Sequence, residues 1–398
     1  MSRPSQSSNH RPRIAVDARA LVPEATGIGV YTRSLLHALT QRGAGRYVAM
    51  AHRPPRRADE LRQQGIEVEV QGASLGVLWQ QLRLPRRLRR GDIDVLFSPL
   101  MTLPCFPGPW ASRIPSVVTV HDLTVLLTPQ AHTLKVRASL LPFLRPSLRR
   151  AAAVVAISEA TAEDLRRLLP GPWIERLHVV HNGIDDVFRP AADGDRGALD
   201  RIAALRRELE APDGYLLAVG TLEPRKNLLR LVEAWHALRE RAQQKGREDI
   251  PPLVLAGASG WRNQELLQRL EDLRPHGLRL LGHVSRQRLV DLYRGARAFA
   301  YPSLYEGFGL PPAEAMACGT PVVVSNVSSL PEVVGDAGLQ VDPLDVSALE
   351  AALEALLTRP ELATELAAAG LQRVRRFTWD ATAEAMERLF LDAAAKRP

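Results

Sequence analysis

Two carboxylates stand eight residues apart around a glycine-rich turn in the second half of the chain, Glu306 before the turn and Glu314 after it. The turn consists of Gly307, Phe308, Gly309 and Leu310. Backbone N–H groups just ahead of a helix suit an anion such as phosphate. A carboxylate accepts several hydrogen bonds and therefore binds sugar hydroxyls well. The pattern favours a ligand with hydroxyl groups at both ends and phosphate in the middle, which is the layout of a nucleotide-sugar.

A helix is expected to begin where this turn ends. Pro311 and Pro312 suit the first turn of a helix, where a missing N–H costs nothing. Glu314 would then lie in that first turn, where the helix dipole keeps a carboxylate ionised. On these residues alone a purely structural explanation stays open, because such turns often precede helices that bind nothing.

Two adjacent cations, Arg225 and Lys226, form the second group of candidate residues. They follow an apolar run at 215–220 that is typical of a buried strand, and an amphipathic helical pattern begins at Leu228. A loop at the carboxyl end of a strand is where open α/β sheets bind ligands. An arginine fork and a lysine point charge together suit a diphosphate. In isolation, a solvated pair ahead of Asn227 as a helix cap is an equally good interpretation.

Together these segments resemble the retaining glycosyltransferases of family 4, and most closely bacterial mannosyltransferases of surface polysaccharide synthesis. The resemblance runs from Arg13 to about Asp380, and the ordered set of motifs makes it specific. The second half carries Gly-Thr-Leu-Glu-Pro-Arg-Lys-Asn at 220–227, Gly-His-Val-Ser at 282–285, the segment 306–314 and Cys-Gly-Thr-Pro-Val at 318–322. The first half carries Val-Asp-Ala-Arg at 16–19, Thr-Gly-Ile-Gly at 26–29, Val-His-Asp-Leu at 120–123, Ala-Ile-Ser at 156–158 and Asn-Gly-Ile-Asp at 182–185.

The resemblance implies a fold and a set of roles. The fold is α/β, the GT-B fold, in which two Rossmann-like domains with parallel sheets face a central cleft. Glu306 would hold hydroxyls of the transferred sugar, Glu314 would hold the ribose, and backbone around Val284 would meet the base. Gly29 would let the backbone approach the phosphates closely. The family also implies retention of the anomeric configuration, with attack on the face from which the nucleotide departs.

His121 ends an apolar strand pattern at 117–121, at the carboxyl edge of the expected sheet. A histidine there is about as often a structural hydrogen bonder as a catalytic group. The resemblance implies that His121 contacts the sugar near its anomeric carbon. No carboxylate in this region is recognisable as a nucleophile for double displacement.

The sequence predicts a reaction without a metal ion or other cofactor. No Asp-x-Asp pair follows a strand, since Asp92 and Asp94 precede an apolar strand at its amino end. Arg225, Lys226 and the N–H groups of residues 307–310 are expected to stabilise the departing diphosphate as preorganised positive potential.

Strand and helix patterns alternate along the whole chain, which predicts parallel sheets with crossover helices. The expected strands lie near 14–17, 47–51, 66–70, 95–98, 117–121, 154–157, 179–181, 216–219, 253–256, 278–281, 298–301, 322–324 and 339–341. We expect a disordered tail at 1–12, an acceptor-side Rossmann-like domain at 13–185, a linker at 186–213, a nucleotide-sugar domain at 214–376 and a last helix at 377–398. The resemblance implies that this last helix crosses back to the first domain.

The composition is that of an ordinary globular protein, with 398 residues of which 45% are hydrophobic and 24% charged. That length favours two domains. No apolar run approaches 18 residues, and the first dozen residues lack an apolar signal region, so a cytoplasmic protein is expected. Cys105 and Cys318 lack metal-ligand spacing and are expected to be buried, reduced thiols.

The charge of the chain is uneven, with net +11 in residues 1–190 and net −3 in residues 191–398. The cations concentrate between Arg83 and Arg90 and between Arg145 and Arg150. Beside leucines, such a run predicts peripheral contact with the anionic inner face of a membrane. An arginine-rich surface without a partner is the alternative. Nucleic acid is not expected as a partner, because no recognised module or interleaved aromatic residue accompanies the cations.

The expected reaction is transfer of a hexose to a saccharide or a lipid-linked saccharide. GDP-mannose is the first choice of donor and a UDP-sugar is the alternative, since no side chain fixes the base. A nucleotide-sugar 2-epimerase of the same fold and a non-catalytic subunit are competing classes. The combination of Arg225, Lys226, Glu306, Glu314 and His121 argues against both.

Overall fold

The structure, a computed structural model, describes residues 11–22, 27–105, 114–129, 133–192, 194–260 and 264–396. The tail expected at 1–12 lies almost entirely outside the described residues. The chain divides into two compact units. The first comprises Met1–Gly183 and Trp379–Pro398, and the second comprises Ile184–Thr378.

The first unit contains a seven-stranded sheet in the order β3-β2-β1-β4-β5-β6-β7. All of its described pairings are parallel. Inner strands such as β4 and β6 are buried at every position, because helices cover both faces of a parallel sheet. The strands are β1 (Arg13–Asp17), β2 (Arg46–Ala51), β3 (Glu67–Val70), β4 (Val95–Ser98), β5 (Ser116–Val120), β6 (Ala153–Ala156) and β7 (Leu177–Val179).

Helices connect these strands. A π-helical turn, Trp79–Arg83, joins α3 to α4, so that residues 76–88 form one continuous helical segment. Thr133 and Ser158 are the N-cap residues of α6 and α7, and their side-chain oxygens accept hydrogen bonds from backbone N–H groups of the first turn. The helices are α1 (Gly27–Arg42), α2 (Ala58–Gln63), α3 (Gly76–Leu78), α4 (Leu84–Leu88), α5 (Thr124–Leu127), α6 (Leu134–Arg150) and α7 (Glu159–Leu168).

The second unit repeats the architecture with a six-stranded parallel sheet in the order β10-β9-β8-β11-β12-β13. The strands are β8 (Leu216–Val219), β9 (Leu253–Ala256), β10 (Leu278–Leu280), β11 (Ala298–Tyr301), β12 (Val322–Ser325) and β13 (Leu339–Val341). The helices are α8 (Arg196–Glu208), α9 (Leu228–Gln244), α10 (Gln264–Leu273), α11 (Arg286–Gly295), α12 (Leu310–Ala317), α13 (Leu330–Val334), α14 (Val346–Thr358) and α15 (Pro360–Val374).

All thirteen expected strands are present, and the prediction of two parallel α/β sheets is confirmed. In each sheet the strand order reverses beside the strand that comes first in the sequence, between β1 and β4 and between β8 and β11. The carboxyl ends of neighbouring strands diverge at such a point, which makes it the usual ligand crevice of an open sheet.

The segment 186–213 differs from the expected linker, because it contains α8. Asp195 caps this helix, and Ala198, Ile202 and Leu205 form its buried face. Arg201 pairs with Asp291 of α11 at 3.0 Å (Nε to Oδ2), which fixes α8 within the second unit. Pro190 and Pro212 flank this helix, and the prediction of a linker gave them more weight than the helical spacing of the apolar residues between them.

The last helix of the chain, α16 (Trp379–Ala395), belongs to the first unit. Phe390 packs against Phe97 of β4 with 5.2 Å between ring centroids. Arg42 of α1 donates from Nε to Glu387 Oε2 at 2.7 Å. Core packing and a half-buried ion pair therefore hold α16 in place.

The basic run from Arg83 to Arg90 is not uniformly exposed, because one of its arginines is used within the fold. Arg87 is buried and pairs through Nε with Glu69 Oε2 at 2.6 Å and through Nη1 with Asp92 Oδ1 at 2.7 Å. The helical repeat turns this one arginine inward, towards Glu69 and Asp92, which both lie outside the helical segment 76–88. No helix among the described residues is long and apolar enough to cross a bilayer.

Candidate functional site

Arg225, Lys226 and Glu306 lie at the reversal of strand order in the second unit. The two cations occupy a single turn, Pro224–Lys226, between β8 and α9, and Glu306 lies in the loop that follows β11. The Leu304 N–H donates to the Arg225 carbonyl at 2.8 Å and ties the two loops together. Because β8 and β11 are neighbours, residues about 80 positions apart in the chain meet at one sheet edge.

Asn227 fixes the shape of the cation loop. Its backbone is left-handed (φ 57°), a conformation that asparagine tolerates better than most residues. Its side chain does not cap α9 but donates from Nδ2 to the carbonyls of Pro302 and Pro343, at 3.0 and 2.7 Å. The loop is therefore held by buried hydrogen bonds before any ligand arrives.

Both cations converge on one oxygen of Glu306. Lys226 Nζ lies 2.7 Å and Arg225 Nη1 lies 2.8 Å from Glu306 Oε1. The Ser303 hydroxyl donates to the same oxygen at 2.6 Å. Glu223 Oε1 lies 2.6 Å from Arg225 Nη2, so the arginine bridges two carboxylates. The sequence predicted that these three residues serve one ligand, and the structure brings them into direct contact.

The charges of this cluster are strongly coupled. Burial alone raises the pKa of Glu306, but Lys226 and Arg225 outweigh it and hold that pKa at about 2. Burial lowers the pKa of Lys226 more than the attraction of Glu306 raises it, and repulsion from Arg225 lowers it further. The two cations thus share a carboxylate, and a further anion beside Lys226 would favour its charged form.

Sequence reasoning missed several members of the cluster. The Lys226 ammonium donates to the Tyr301 hydroxyl and lies 4.8 Å from the centre of that ring. Tyr301 ends β11, and Ser303 and Glu223 lie in the loops beside it. Glu223 was visible in the motif at 220–227, but its burial and its pairing with Arg225 depend on the fold.

Glu314 lies apart from this cluster, in contact with α11. The Tyr293 hydroxyl donates to Glu314 Oε2 at 3.1 Å. The expectation of an ionised carboxylate in the first helical turn is wrong, because α12 begins at Leu310 and places Glu314 beyond that turn. The residue retains some exposure, but protein surrounds its carboxyl group, and burial raises its pKa to about 7.

This raised pKa predicts a pH-dependent stability. The folded protein binds the Glu314 proton more tightly than the unfolded chain does, whose carboxyl has the ordinary value of 4.5. The resulting stability is complete below pH 4.5 and is lost as the pH rises through about 7. Relative to Glu314→Gln, the wild-type protein should lose up to about 3 kcal/mol of unfolding free energy between pH 5 and pH 8. Urea denaturation at several pH values measures this difference, and parallel curves for the two proteins would contradict it.

The turn at 307–310 leads into α12 as expected, with prolines in the first helical turn. Gly309 has φ 99°, a backbone conformation that strains any other residue, and a Cβ atom there would lie 2.8 Å from Leu330 Cδ2. Phe308 points into the core and meets Phe377 edge-on at 5.4 Å between ring centroids. Any contact of Phe308 with a ligand would therefore come from its backbone.

His121 and Gly29 lie in the first unit. His121 follows β5, and its Nε2–H donates to the Pro99 carbonyl at 2.9 Å. Burial lowers its pKa to about 4, so the imidazole is neutral at physiological pH. Its ring meets Tyr31 edge-on at 4.7 Å. Tyr31 lies on α1, two residues after Gly29, so the segments that carry the two predicted residues are close together.

The remaining candidate residues have clear positions. Val284 is half-buried in the loop between β10 and α11. Asp92 pairs with Arg87, which lowers the pKa of Asp92 to about 2, and Asp94 accepts from the Arg13 N–H at 2.8 Å. Both aspartates precede β4, as the sequence indicates. No group of three or more His, Cys, Asp or Glu side chains within the described ranges is arranged to hold a metal ion.

Comparison with known proteins identifies the family. The model described as "Glycosyl transferases group 1" matches residues 203–373, and the one described as "Glycosyltransferase Family 4" matches residues 25–188. The chain is 36% identical over 266 residues to O-antigen chain mannosyltransferase B of Escherichia coli, covering 67% of each protein. It is 33% identical over 242 residues to serotype-specific mannosyltransferase WbdA of Escherichia coli, covering 59% of this chain but 28% of WbdA.

Solved structures share the architecture. Sucrose-phosphate synthase from Thermosynechococcus elongatus has a TM-score of 0.74 at 24% identity, covering 97% of this chain and all of that one. Anabaena HepE in complex with UDP and glucose has a TM-score of 0.72 at 20% identity, covering 96% of this chain and all of that one. At such identities the likeness shows the fold alone, which is the GT-B fold. Together with the family matches, it shows that the chain is a glycosyltransferase and belongs to family 4.

Proposed function

We propose that this glycosyltransferase moves a hexose, with retention of anomeric configuration, from a nucleotide-sugar to a saccharide or lipid-linked saccharide. The cluster of Arg225, Lys226 and Glu306 carries the proposal. It combines two cations suited to a diphosphate with an ionised carboxylate suited to sugar hydroxyls, in one preorganised loop pair. Glu314, Val284 and the turn at 307–310 complete the donor site within the second unit.

Arg225 and Lys226 stabilise the leaving group in this mechanism. When the bond between the anomeric carbon and the diphosphate oxygen breaks, both electrons stay with the diphosphate. The acceptor hydroxyl oxygen forms the new bond on the same face of the sugar and gives up its proton to the departing diphosphate. Preorganised donors aimed at that developing charge lower the barrier without reorganising during the reaction. Glu306 meanwhile keeps the two cations in place and accepts hydrogen bonds from the transferred sugar.

The mechanism assigns the role of a metal ion to these side chains and therefore predicts turnover without metal. Activity in EDTA should equal activity with added Mg²⁺. The measurement is initial-rate nucleotide release in both buffers after dialysis against chelator. Loss of activity on chelation, restored by Mg²⁺ or Mn²⁺, would overturn the metal-free mechanism.

GDP-mannose is the proposed donor. The mannosyltransferases of Escherichia coli among the relatives support this choice, and the complex of HepE with UDP and glucose supports the alternative of a UDP-sugar. A screen for nucleotide release with GDP-mannose, GDP-fucose, UDP-glucose and UDP-N-acetylglucosamine tests it. GDP release from GDP-mannose well above the other donors is the expected result, and release from a UDP-sugar alone would replace the assignment.

The same screen separates the competing classes. A nucleotide-sugar 2-epimerase would convert its substrate to the C2 epimer without any acceptor. A non-catalytic subunit would not hydrolyse any donor. Slow hydrolysis of the donor without acceptor, accelerated by a saccharide acceptor, is expected of a transferase.

We place the protein in the cytoplasm, in peripheral contact with the anionic inner face of the membrane, where a lipid-linked acceptor would be found. The exposed arginines between Arg83 and Arg90 support this placement. Arg87 does not contribute, because its charge is used within the fold.

A further inference from the structure

The helical segment 76–88 in the first unit has one face that the fold uses and one that it does not. On the inner face, Trp79 donates from Nε1 to Gln71 Oε1 at 3.1 Å, and Gln80 donates to Asp17 Oδ2 at 3.0 Å. The inner residues are Trp79, Gln80, Gln81, Leu84, Pro85, Arg87 and Leu88, all buried. This face fixes the orientation of the segment, so the opposite face must point outward.

The outward face begins with three leucines, which we call the leucine stripe. Leu75, Leu78 and Leu82 are 49%, 48% and 44% exposed among the described residues. Their spacing of three and four residues places them in one row along a helix. A helix face in water normally carries polar side chains, so a row of exposed leucines indicates a surface that binds something apolar.

Arginines continue the same face, and we call them the arginine end. Arg83, Arg86, Arg89 and Arg90 are all exposed. Residues 75–90 contain no Asp or Glu, so the segment carries a net positive charge. Arg83 donates from Nη1 to the carbonyls of Gln71 and Gly72. Apolar and cationic side chains thus occupy one continuous outer face.

We propose that the leucine stripe and the arginine end bind the surface of an anionic bilayer, with the leucines inserted among the acyl chains. Cationic side chains beside apolar ones match a layer of anionic headgroups over hydrocarbon. The outer face offers only aliphatic and guanidinium groups, whereas the core of a protein interface is enriched in aromatic residues. The leucines make the contact more than electrostatic, and this inference rests on the peripheral membrane contact proposed above.

The experiment measures binding of the full-length protein to sedimented vesicles of phosphatidylcholine, with and without 30% phosphatidylglycerol, at low and physiological salt. Wild-type protein should bind the anionic vesicles at least 10-fold more tightly than the neutral ones. Replacing the stripe by L75Q, L78Q and L82Q should weaken binding about 10-fold or more at both salt concentrations. Replacing the arginine end by R83Q, R86Q, R89Q and R90Q, with Arg87 retained, should remove the salt dependence.

A matched control separates the stripe from exposed leucines in general. Leu199 and Leu344 are 53% and 61% exposed in the second unit, and L199Q with L344Q should leave binding unchanged. A polarity-sensitive fluorophore on L78C should shift to the blue with anionic vesicles, and one on L199C should not. Equal sedimentation of wild type and the stripe variant would overturn the proposal. So would loss of self-association in the stripe variant with vesicle binding intact, which would indicate a protein partner.

Donor hydrolysis measured on the same proteins keeps this test apart from the proposed function. The stripe and arginine variants should hydrolyse the soluble donor at the wild-type rate, because the donor cluster lies in the second unit. If the wild-type protein and all the variants failed to hydrolyse the donor while the wild type still bound anionic vesicles, that result would count against the proposed function but would support the membrane surface.

Discussion

Lys226→Ala should lower kcat/KM by roughly 10²-fold, which is the scale for losing one preorganised donor to a developing negative charge. Lys226 is the cation whose pKa burial depresses, and it already shares Glu306 with Arg225. A bound diphosphate would give this ammonium a second anionic partner. Lys226 should stabilise the departing diphosphate more than the intact donor, because negative charge develops on the diphosphate as the bond breaks. The loss should therefore fall mainly on kcat, measured by initial rates over a range of donor concentrations.

Lys245→Ala is the matched control for this prediction. Lys245 is exposed at the carboxyl end of α9, the helix that begins directly after the cation loop. Its removal should leave kcat/KM within a few-fold of wild type. Equal activity of Lys226→Ala and wild type would remove Lys226 from the site.

Glu306→Gln should reduce both activity and stability. The substitution keeps the shape of the side chain but leaves Lys226 and Arg225 without their shared negative charge in a buried place. Breaking a buried ion pair by removing one partner costs about 3–5 kcal/mol of unfolding free energy. Losing a charged acceptor for the sugar hydroxyls should lower kcat/KM by roughly 10²-fold or more, because hydrogen bonds to charged groups are the strong ones. Urea denaturation and initial-rate kinetics on the same preparation measure the two effects.

Glu361→Gln controls for the change of charge. Glu361 is exposed in the first turn of α15, where its loss should change the stability by less than about 1 kcal/mol. An unchanged denaturation midpoint for Glu306→Gln would show that the two cations do not need the carboxylate. Wild-type kcat/KM in the Glu306→Gln variant would exclude Glu306 from the donor site.

The strands were the most predictable part of the fold. An inner strand of a parallel sheet is buried on both faces and is therefore a short apolar run, and β4, β8, β9 and β11 have the predicted bounds. The edge strand β7 begins two residues earlier than expected, at Leu177. Its only described neighbour is β6, and the extent of an edge strand depends on that pairing more than on its own pattern.

The donor cluster was predictable in membership but not in its contacts. The sequence indicated Arg225 and Lys226 because they follow a strand, and Glu306 because it precedes the glycine-rich turn. Their contact depends on β8 and β11 being neighbours, which is a property of strand order. Tyr301 and Ser303 join the cluster for the same reason and carry no chemical signal in the sequence.

Burial explains the incorrect expectations. The helix dipole was expected to keep Glu314 ionised, but burial against Tyr293 has the larger effect on its pKa. Arg87 was counted with its exposed neighbours, but the helical repeat turns it towards Glu69 and Asp92. In both cases the deciding neighbours come from other elements, so a local pattern could not identify them.

The most direct test of the donor site is the affinity of the leaving nucleotide, measured by calorimetric titration of GDP and UDP in EDTA. No acceptor or catalytic turnover is needed. If Lys226 holds the diphosphate, Lys226→Ala should raise the Kd by about 10- to 100-fold, which corresponds to one hydrogen bond to a charged group. Lys245→Ala should leave the Kd unchanged. Equal Kd values for wild type and Lys226→Ala would contradict the central claim that this cluster binds the diphosphate of the donor.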